Sequence, residues 1–144
     1  MSKFLKYTTL TVLLVAVVFL LTGCNKEEKK EQKENTKSLF EVEQVNDKTI
    51  KVNLENAKQG EEKEAKLVIA EGEDIYTTTK MEGASGVTVY YFKEGSEHNK
   101  DASDSEYLNG EGESSTEGFP AGTYDVLIEA TDAPVTGTIE INIK

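Results

Sequence analysis

Thr138-Ile139-Glu140-Ile141-Asn142-Ile143 alternates isoleucine with polar residues over six positions. Side chains two apart share one face of an extended strand, so this spelling gives a strand with one apolar and one solvated face. A helix would scatter the three isoleucines around its axis. Upstream, Thr123 to Ala130 sets Tyr124, Val126, Ile128 and Ala130 on one face in the same way. Between these two strands Asp132 to Gly137 holds Pro134 and a glycine and reads as a loop.

The period-two pattern runs back to Leu39. Phe40 and Val42 alternate with Glu41 and Glu43; Asn46-Asp47 is turn-prone; Ile50, Val52 and Leu54 alternate with Lys51 and Asn53. These predict an opening hairpin. Ala65, Leu67 and Ile69 predict a third strand, ended by Glu71-Gly72-Glu73-Asp74, and the Thr-rich run Ile75 to Met81 a fourth. Gly83-Ala84-Ser85-Gly86 turns the chain into Val87-Thr88-Val89-Tyr90-Tyr91-Phe92, apolar or aromatic on both faces and therefore expected to be central. About seven short strands, turn signals between them and no helical periodicity predict a single all-β domain, an antiparallel two-layer sandwich. A small β-barrel is the alternative architecture.

Phe119-Pro120-Ala121-Gly122-Thr123-Tyr124-Asp125-Val126 resembles the tyrosine corner of immunoglobulin-like and fibronectin type III domains. The resemblance implies an immunoglobulin-like sandwich in which the Tyr124 hydroxyl bonds back to upstream backbone. An ordinary half-buried strand tyrosine is the other reading of the same residue.

Before Leu39 the composition differs. Met1 to Tyr7 carries Lys3 and Lys6 and no acid, and Leu10 to Leu21 is apolar except for Thr11. A helix over that run would reach only about 18 Å, short of the ~30 Å hydrocarbon core, so it reads as the apolar region of a secretory signal rather than as a membrane span. The run ends in Leu21-Thr22-Gly23-Cys24, which is similar to the lipobox of bacterial lipoproteins. That resemblance implies cleavage between Gly23 and Cys24, a diacylglyceryl group on the Cys24 thiol, and a mature protein that starts at Cys24 and faces outside the cytoplasm at the cell membrane. Asn25 to Lys37 contains four Glu, five Lys and no apolar residue and is expected to be a solvated tether. The expected organisation is thus residues 1–23 as cleaved signal, 24–37 as lipidated cysteine and tether, and 38–144 as the sandwich.

Cys24 is the sole cysteine, so a lipidated Cys24 leaves no thiol for a disulfide, and stability rests on one modest core. Arg is absent. Removing residues 1–23 takes two lysines and no acid, leaving 14 lysines against 27 acids and a net charge of −13. Counterion release and bidentate base contacts need clustered Lys and Arg, so nucleic acid is excluded as a partner. Anionic lipid head groups also repel such a surface, which leaves the anchoring to the lipid on Cys24.

Chemistry-bearing residues are sparse. His98, the sole histidine, lies in the polar run from Lys93 to Asp104, where a solvated loop residue outweighs a catalytic base. No cofactor motif is present, and one histidine leaves only carboxylates for a metal. Lys93 to Pro120 is acidic and reads as a long irregular loop, with Asp101, Asp104, Glu106 and Tyr107 as the candidate binding residues. A calcium loop, a protein-recognition loop and a plain solvated loop all fit it. The spacing does not follow the alternating ligands of an EF-hand. Two functional classes follow. One is a surface-displayed binding or structural module that meets an envelope protein or a glycan, the glycan requiring an aromatic platform among Tyr76, Tyr90, Tyr91 and Tyr107. The other is an envelope enzyme, such as a glycan hydrolase, with paired carboxylates.

Overall fold

The isoleucines of the decisive stretch do face one core. In the computed structural model, which describes residues 37–144, Ile139, Ile141 and Ile143 are buried while Thr138 is exposed and Glu140 and Asn142 are half-exposed. The expectations placed on Cys24, the cleavage at Gly23, the signal and the tether up to residue 36 lie outside the described residues.

Among the described residues nine strands form: β1 (Leu39–Asn46), β2 (Thr49–Ala57), β3 (Glu62–Ile69), β4 (Ile75–Met81), β5 (Gly86–Lys93), β6 (Asp104–Asn109), β7 (Glu111–Thr116), β8 (Gly122–Asp132) and β9 (Val135–Ile143). They make two antiparallel sheets, one of five strands in the order β1-β2-β9-β4-β7 and one of four in the order β3-β8-β5-β6. The two-layer sandwich is therefore the architecture. β5 and β8 are interior strands of the second sheet, as the two-sided apolar spelling of Val87 to Phe92 requires.

Between the layers lie Ile50, Val52 and Leu54 from β2, Leu67 and Ile69 from β3, and Val87, Val89, Val126 and Ile128 from β5 and β8. Burying side chains of this size contributes ~1.5–3 kcal/mol each, which is what offsets chain entropy in a domain without disulfides. The tyrosine corner is present: Tyr124 Oη donates to the Pro120 carbonyl at 2.7 Å, and Phe119 packs edge-on against the Tyr124 ring at 5.4 Å. The strand order is not that of an immunoglobulin constant domain, whose last strand joins the three-stranded sheet. Here the last strand, β9, is the centre of the five-stranded sheet, between β2 and β4.

The count of strands and the loop at Lys93 to Pro120 need correction. That segment holds a single 3-10 turn at Lys100–Ala102 and two strands, β6 and β7. Neither carries an apolar stripe: β6 buries only Leu108, and β7 buries nothing. They are sheet edges held by backbone pairing to β5 and β4, so the period-two hydrophobic signal that marks the other seven is missing.

Gly137 is the clearest demand the fold makes on a single residue. Its φ of 150° and its close approach to β4 leave no room for a Cβ, which would collide with the Lys80 carbonyl and Met81 Cα.

Candidate functional site

The segment from Glu94 to Ser103 folds back over the outer face of the four-stranded sheet. That face presents Tyr90, Phe92 and Leu127, apolar side chains that would otherwise meet water. His98 stacks on Phe92, with centroids 4.5 Å apart and planes at 14°, and its Nε2 lies 3.2 Å from Asp125 Oδ2. Lys100 lies 5.3 Å from the centroid of the Tyr90 ring, and its ammonium donates to Glu129 at 2.8 Å and to Glu62 at 2.6 Å. Asn99 caps the 3-10 turn by accepting from the Asp101 N–H at 3.0 Å. The result is a strap across the sheet, held at its start by Glu94, which accepts from Lys66 at 2.9 Å, and over the rings by His98 and Lys100.

Electrostatics explain why Lys100 is the anchor. Glu62 and Glu129 face each other across β3 and β8, and like charges directly opposite repel. The Lys100 ammonium resolves the repulsion, and the hydrogen bonds first to Glu129 and then to Glu62 hold its pKa well above the ordinary 10.5. These two glutamates are paired carboxylates of the kind a hydrolase would use, but an ammonium bridges them.

The candidate binding residues do not converge. Asp101 lies on the exposed 3-10 turn. Asp104 and Glu106 sit two apart on the core-facing side of β6, and Tyr107, between Glu106 and Leu108, points to the opposite side. Glu106 accepts from Thr77 Oγ1 at 3.3 Å and from Ser114 Oγ, so it ties β6 to β4 and β7. Beside it the Tyr91 hydroxyl is buried and meets no hydrogen-bond partner among the described residues, and burial first, then the Glu106 charge, pushes its pKa up. Tyr107 Oη donates to Asp132, which raises the Tyr107 pKa, and the ring lies so close over Gly86 that a Cβ there would collide with it. Among the described residues no three His, Asp or Glu side chains gather as a metal-ligand set.

Aromatic exposure separates the glycan and protein readings. Tyr91 is buried and Tyr90 lies under Lys100. Tyr76 and Tyr107 are 39% and 49% exposed, but Tyr76 belongs to the outer face of the five-stranded sheet and Tyr107 to that of the four-stranded sheet. Two exposed rings on opposite sides of a sandwich make no common platform.

The outer face of the five-stranded sheet is open and polar. One row across all five strands reads Glu43, Lys51, Glu140, Thr78, Glu113, and the next reads Glu41, Asn53, Thr138, Lys80, Glu111. A shallow groove of about 500 Å³ follows these rows. A second cleft, about 460 Å³, lies between the strap and the Phe119–Tyr124 corner, lined by Tyr91, Lys93, Glu97, Asp104, Pro120 and Tyr124 among others. Alternating carboxylates and ammoniums suit contact with another polar surface, and none of the described groups is paired as a nucleophile with its base. Sequence reasoning missed the Phe92, His98, Tyr90 and Lys100 contacts; a buried-type strand with apolar side chains on both faces was the available signal that something covers the second face.

No family model matches the sequence, and no curated protein does. Among solved structures, the chain is similar to PliG of Aeromonas hydrophila, a periplasmic lysozyme inhibitor of g-type lysozyme, with 14% identity, a TM-score of 0.44, and coverage of 77% of this chain and 90% of that one. A likeness of that size carries neither partner nor activity to this chain.

Proposed function

We propose that the chain is an exported lipoprotein, held at the cell membrane by an acylated Cys24, that displays its acidic sandwich to a protein partner in the envelope. The observation that carries this reading is the Leu21-Thr22-Gly23-Cys24 sequence behind a basic and apolar leader and ahead of a charged tract. The fold supports it. Among the described residues, all nine strands lie within Leu39–Ile143 and share one core. The chain enters β1 at Leu39, opposite Glu55, at the same end of the sandwich as the β2–β3 and β8–β9 turns. The strap and the Phe119 corner begin at the other end, after Lys93 and before Gly122. The charged tract of 13 residues from Asn25 to Lys37, at most roughly 45 Å long if extended, would link the sandwich to the lipid. A protein fits better than a glycan because the exposed tyrosines are split between faces while the polar rows are continuous.

Two acyl chains at ~0.8 kcal/mol per buried CH₂ anchor stably, whereas one chain binds only marginally. The Cys24→Ala variant is expected to lose fatty-acid labelling and accumulate as uncut precursor. An intact mass of the membrane-associated protein showing a free Cys24 thiol contradicts the reading.

A further inference from the structure

β7 is the last strand of the five-stranded sheet, and among the described residues no strand pairs with its free side. In an antiparallel ladder, opposite residues alternate between pairs that exchange hydrogen bonds and pairs that do not. The Met81 N–H donates to the Gly110 carbonyl at 2.8 Å, which assigns Lys80–Glu111, Thr78–Glu113 and Tyr76–Ser115 to the second kind. The N–H and C=O groups of Glu111, Glu113 and Ser115 therefore point away from β4. Edge strands are ordinarily blunted by charged side chains, lysine above all, by proline, by a bulge or by a cover, and the charges β7 carries, Glu111 and Glu113, are of one sign and oppose pairing with another acidic strand. β7 reads Glu-Gly-Glu-Ser-Ser-Thr, with neither lysine nor proline, and pairs with β4 through all six residues without a register shift.

The opposite side of the sandwich shows what a closed edge looks like in this molecule. β1 shifts register between Gln44 and Asn46, and the Gln44 carboxamide accepts from the Lys66 N–H at 2.8 Å and donates to the Lys66 carbonyl at 2.7 Å. One side chain there imitates a strand and joins β1 to β3, helped by the Val68 N–H donating to the Asp47 carbonyl at 2.7 Å.

We propose that the open β7 edge takes up an extended, lysine- or arginine-rich segment of a partner protein, which adds to the five-stranded sheet as a further strand. Main-chain pairing would supply affinity, as in other cases of strand addition. Charge selects the occupant. Glu111 and Glu113 flank the incoming strand on the outer face, Glu106 stands by Ser114 on the inner side, and Glu117 follows the strand's end. Basic side chains at alternate positions would sit beside these carboxylates, and cross-strand opposite charges are favourable. A second copy of β7 would instead set glutamate beside glutamate. This inference rests on the reading of the domain as a protein-binding module and names its surface and the chemistry of its partner.

The test uses the full-length chain and a synthetic peptide about eight residues long that alternates lysine with threonine, beside a control with glutamate for lysine. Residue-resolved amide exchange is expected to show the lysine peptide protecting Glu111, Glu113 and Ser115, and the glutamate peptide binding at least about a hundredfold more weakly. Ser115→Pro removes an outward N–H without touching a β4 bond and is expected to weaken binding at least about tenfold. If that variant unfolds, Glu113→Lys, which leaves the backbone intact, is expected to give a similar loss. No binding, protection elsewhere, undiminished binding to a folded Ser115→Pro or to Glu113→Lys, or concentration-dependent protection of β7 without peptide would each overturn the assignment. A failure here, with Cys24 acylated, removes the edge as the surface and leaves the anchored display standing. A free Cys24 thiol removes the anchoring and leaves this result unchanged.

Discussion

The two outer faces of the sandwich are built on opposite principles. The face of the five-stranded sheet is a polar lattice of glutamate, lysine, threonine and asparagine rows open to solvent. The face of the four-stranded sheet carries Tyr90, Phe92 and Leu127 and is covered by a strap that is itself acidic. The difference teaches that a polar segment can serve as a lid when two of its side chains, an imidazole and an ammonium, can lie on aromatic rings. The covered face is committed to the fold. The open face and its β7 edge stay exposed.

Truncating one aromatic on each face gives the largest contrast. Phe92 is buried under His98, so Phe92→Ala is expected to cost about 3–4 kcal/mol, in the range for buried aromatic truncations. Tyr76→Ala, on the open face, is expected to stay within about 0.5 kcal/mol, as exposed substitutions do. Chemical denaturation of the two variants measures both, and equal effects would erase the distinction between the faces.

The ion pairs sharpen the comparison at a smaller scale. Lys100→Ala leaves Glu62 and Glu129 facing each other and is expected to cost about 1 kcal/mol, a value already reduced for solvent screening of a side chain 35% exposed. On the open face Lys51 and Glu140 are 3.9 Å apart and about half-exposed, so Lys51→Ala is expected to change stability by less than about 0.5 kcal/mol. A double-mutant cycle on Lys100 and Glu129 separates their coupling from the packing of the lysine stem on Tyr90.

The same lysine sets a pH dependence. Its folded-state pKa is raised above 10.5, so its contribution is complete below that pH and is lost as pH rises through the folded value. Tyr91, raised above its ordinary 10.0 first by burial, acts in the same direction because its neutral form is the one the core accepts. Thermal midpoints are therefore expected to fall above about pH 10, with a smaller alkaline decline in Lys100→Ala. An unchanged alkaline limb in that variant would show that the strap does not depend on the ammonium.

Calcium gives the smallest expected effect. Glu106 is held by two hydroxyls, and Tyr107 points away from Asp104 and Glu106. Millimolar calcium is expected to raise the thermal midpoint no more than sodium chloride at equal ionic strength. A calcium-specific rise lost in Asp101→Asn with Asp104→Asn would show that these carboxylates do come together.

How much of this was legible depended on where apolar residues lay. Most of the other seven strands follow from alternation, as Ile139, Ile141 and Ile143 illustrate, and β5 from apolar residues on both faces. The Tyr124 contact followed from the resemblance of Phe119 to Val126 to a tyrosine corner. β6 and β7 were not legible, because Asp104-Ser105-Glu106 and Glu111 to Thr116 pair through their backbones and bury almost nothing. The strap was hidden for a related reason: its anchors, Glu94, His98 and Lys100, are residue types that composition assigns to solvent. The order of strands depends on which edges meet across the whole chain, and local alternation holds no record of that.

Residue-resolved amide exchange on the full-length chain tests the contrast between covered face and open edge most directly. Ser96 N–H donates to the Lys93 carbonyl at 2.9 Å and Ala102 N–H to the Asn99 carbonyl at 3.1 Å, so both are expected to exchange measurably more slowly than in a free peptide. Glu111, Glu113 and Ser115 are expected to exchange near the free-peptide rate while Gly112 and Ser114, paired to β4, are protected. Unprotected amides at Ser96 and Ala102 together with protected ones at Glu111, Glu113 and Ser115 would contradict the account.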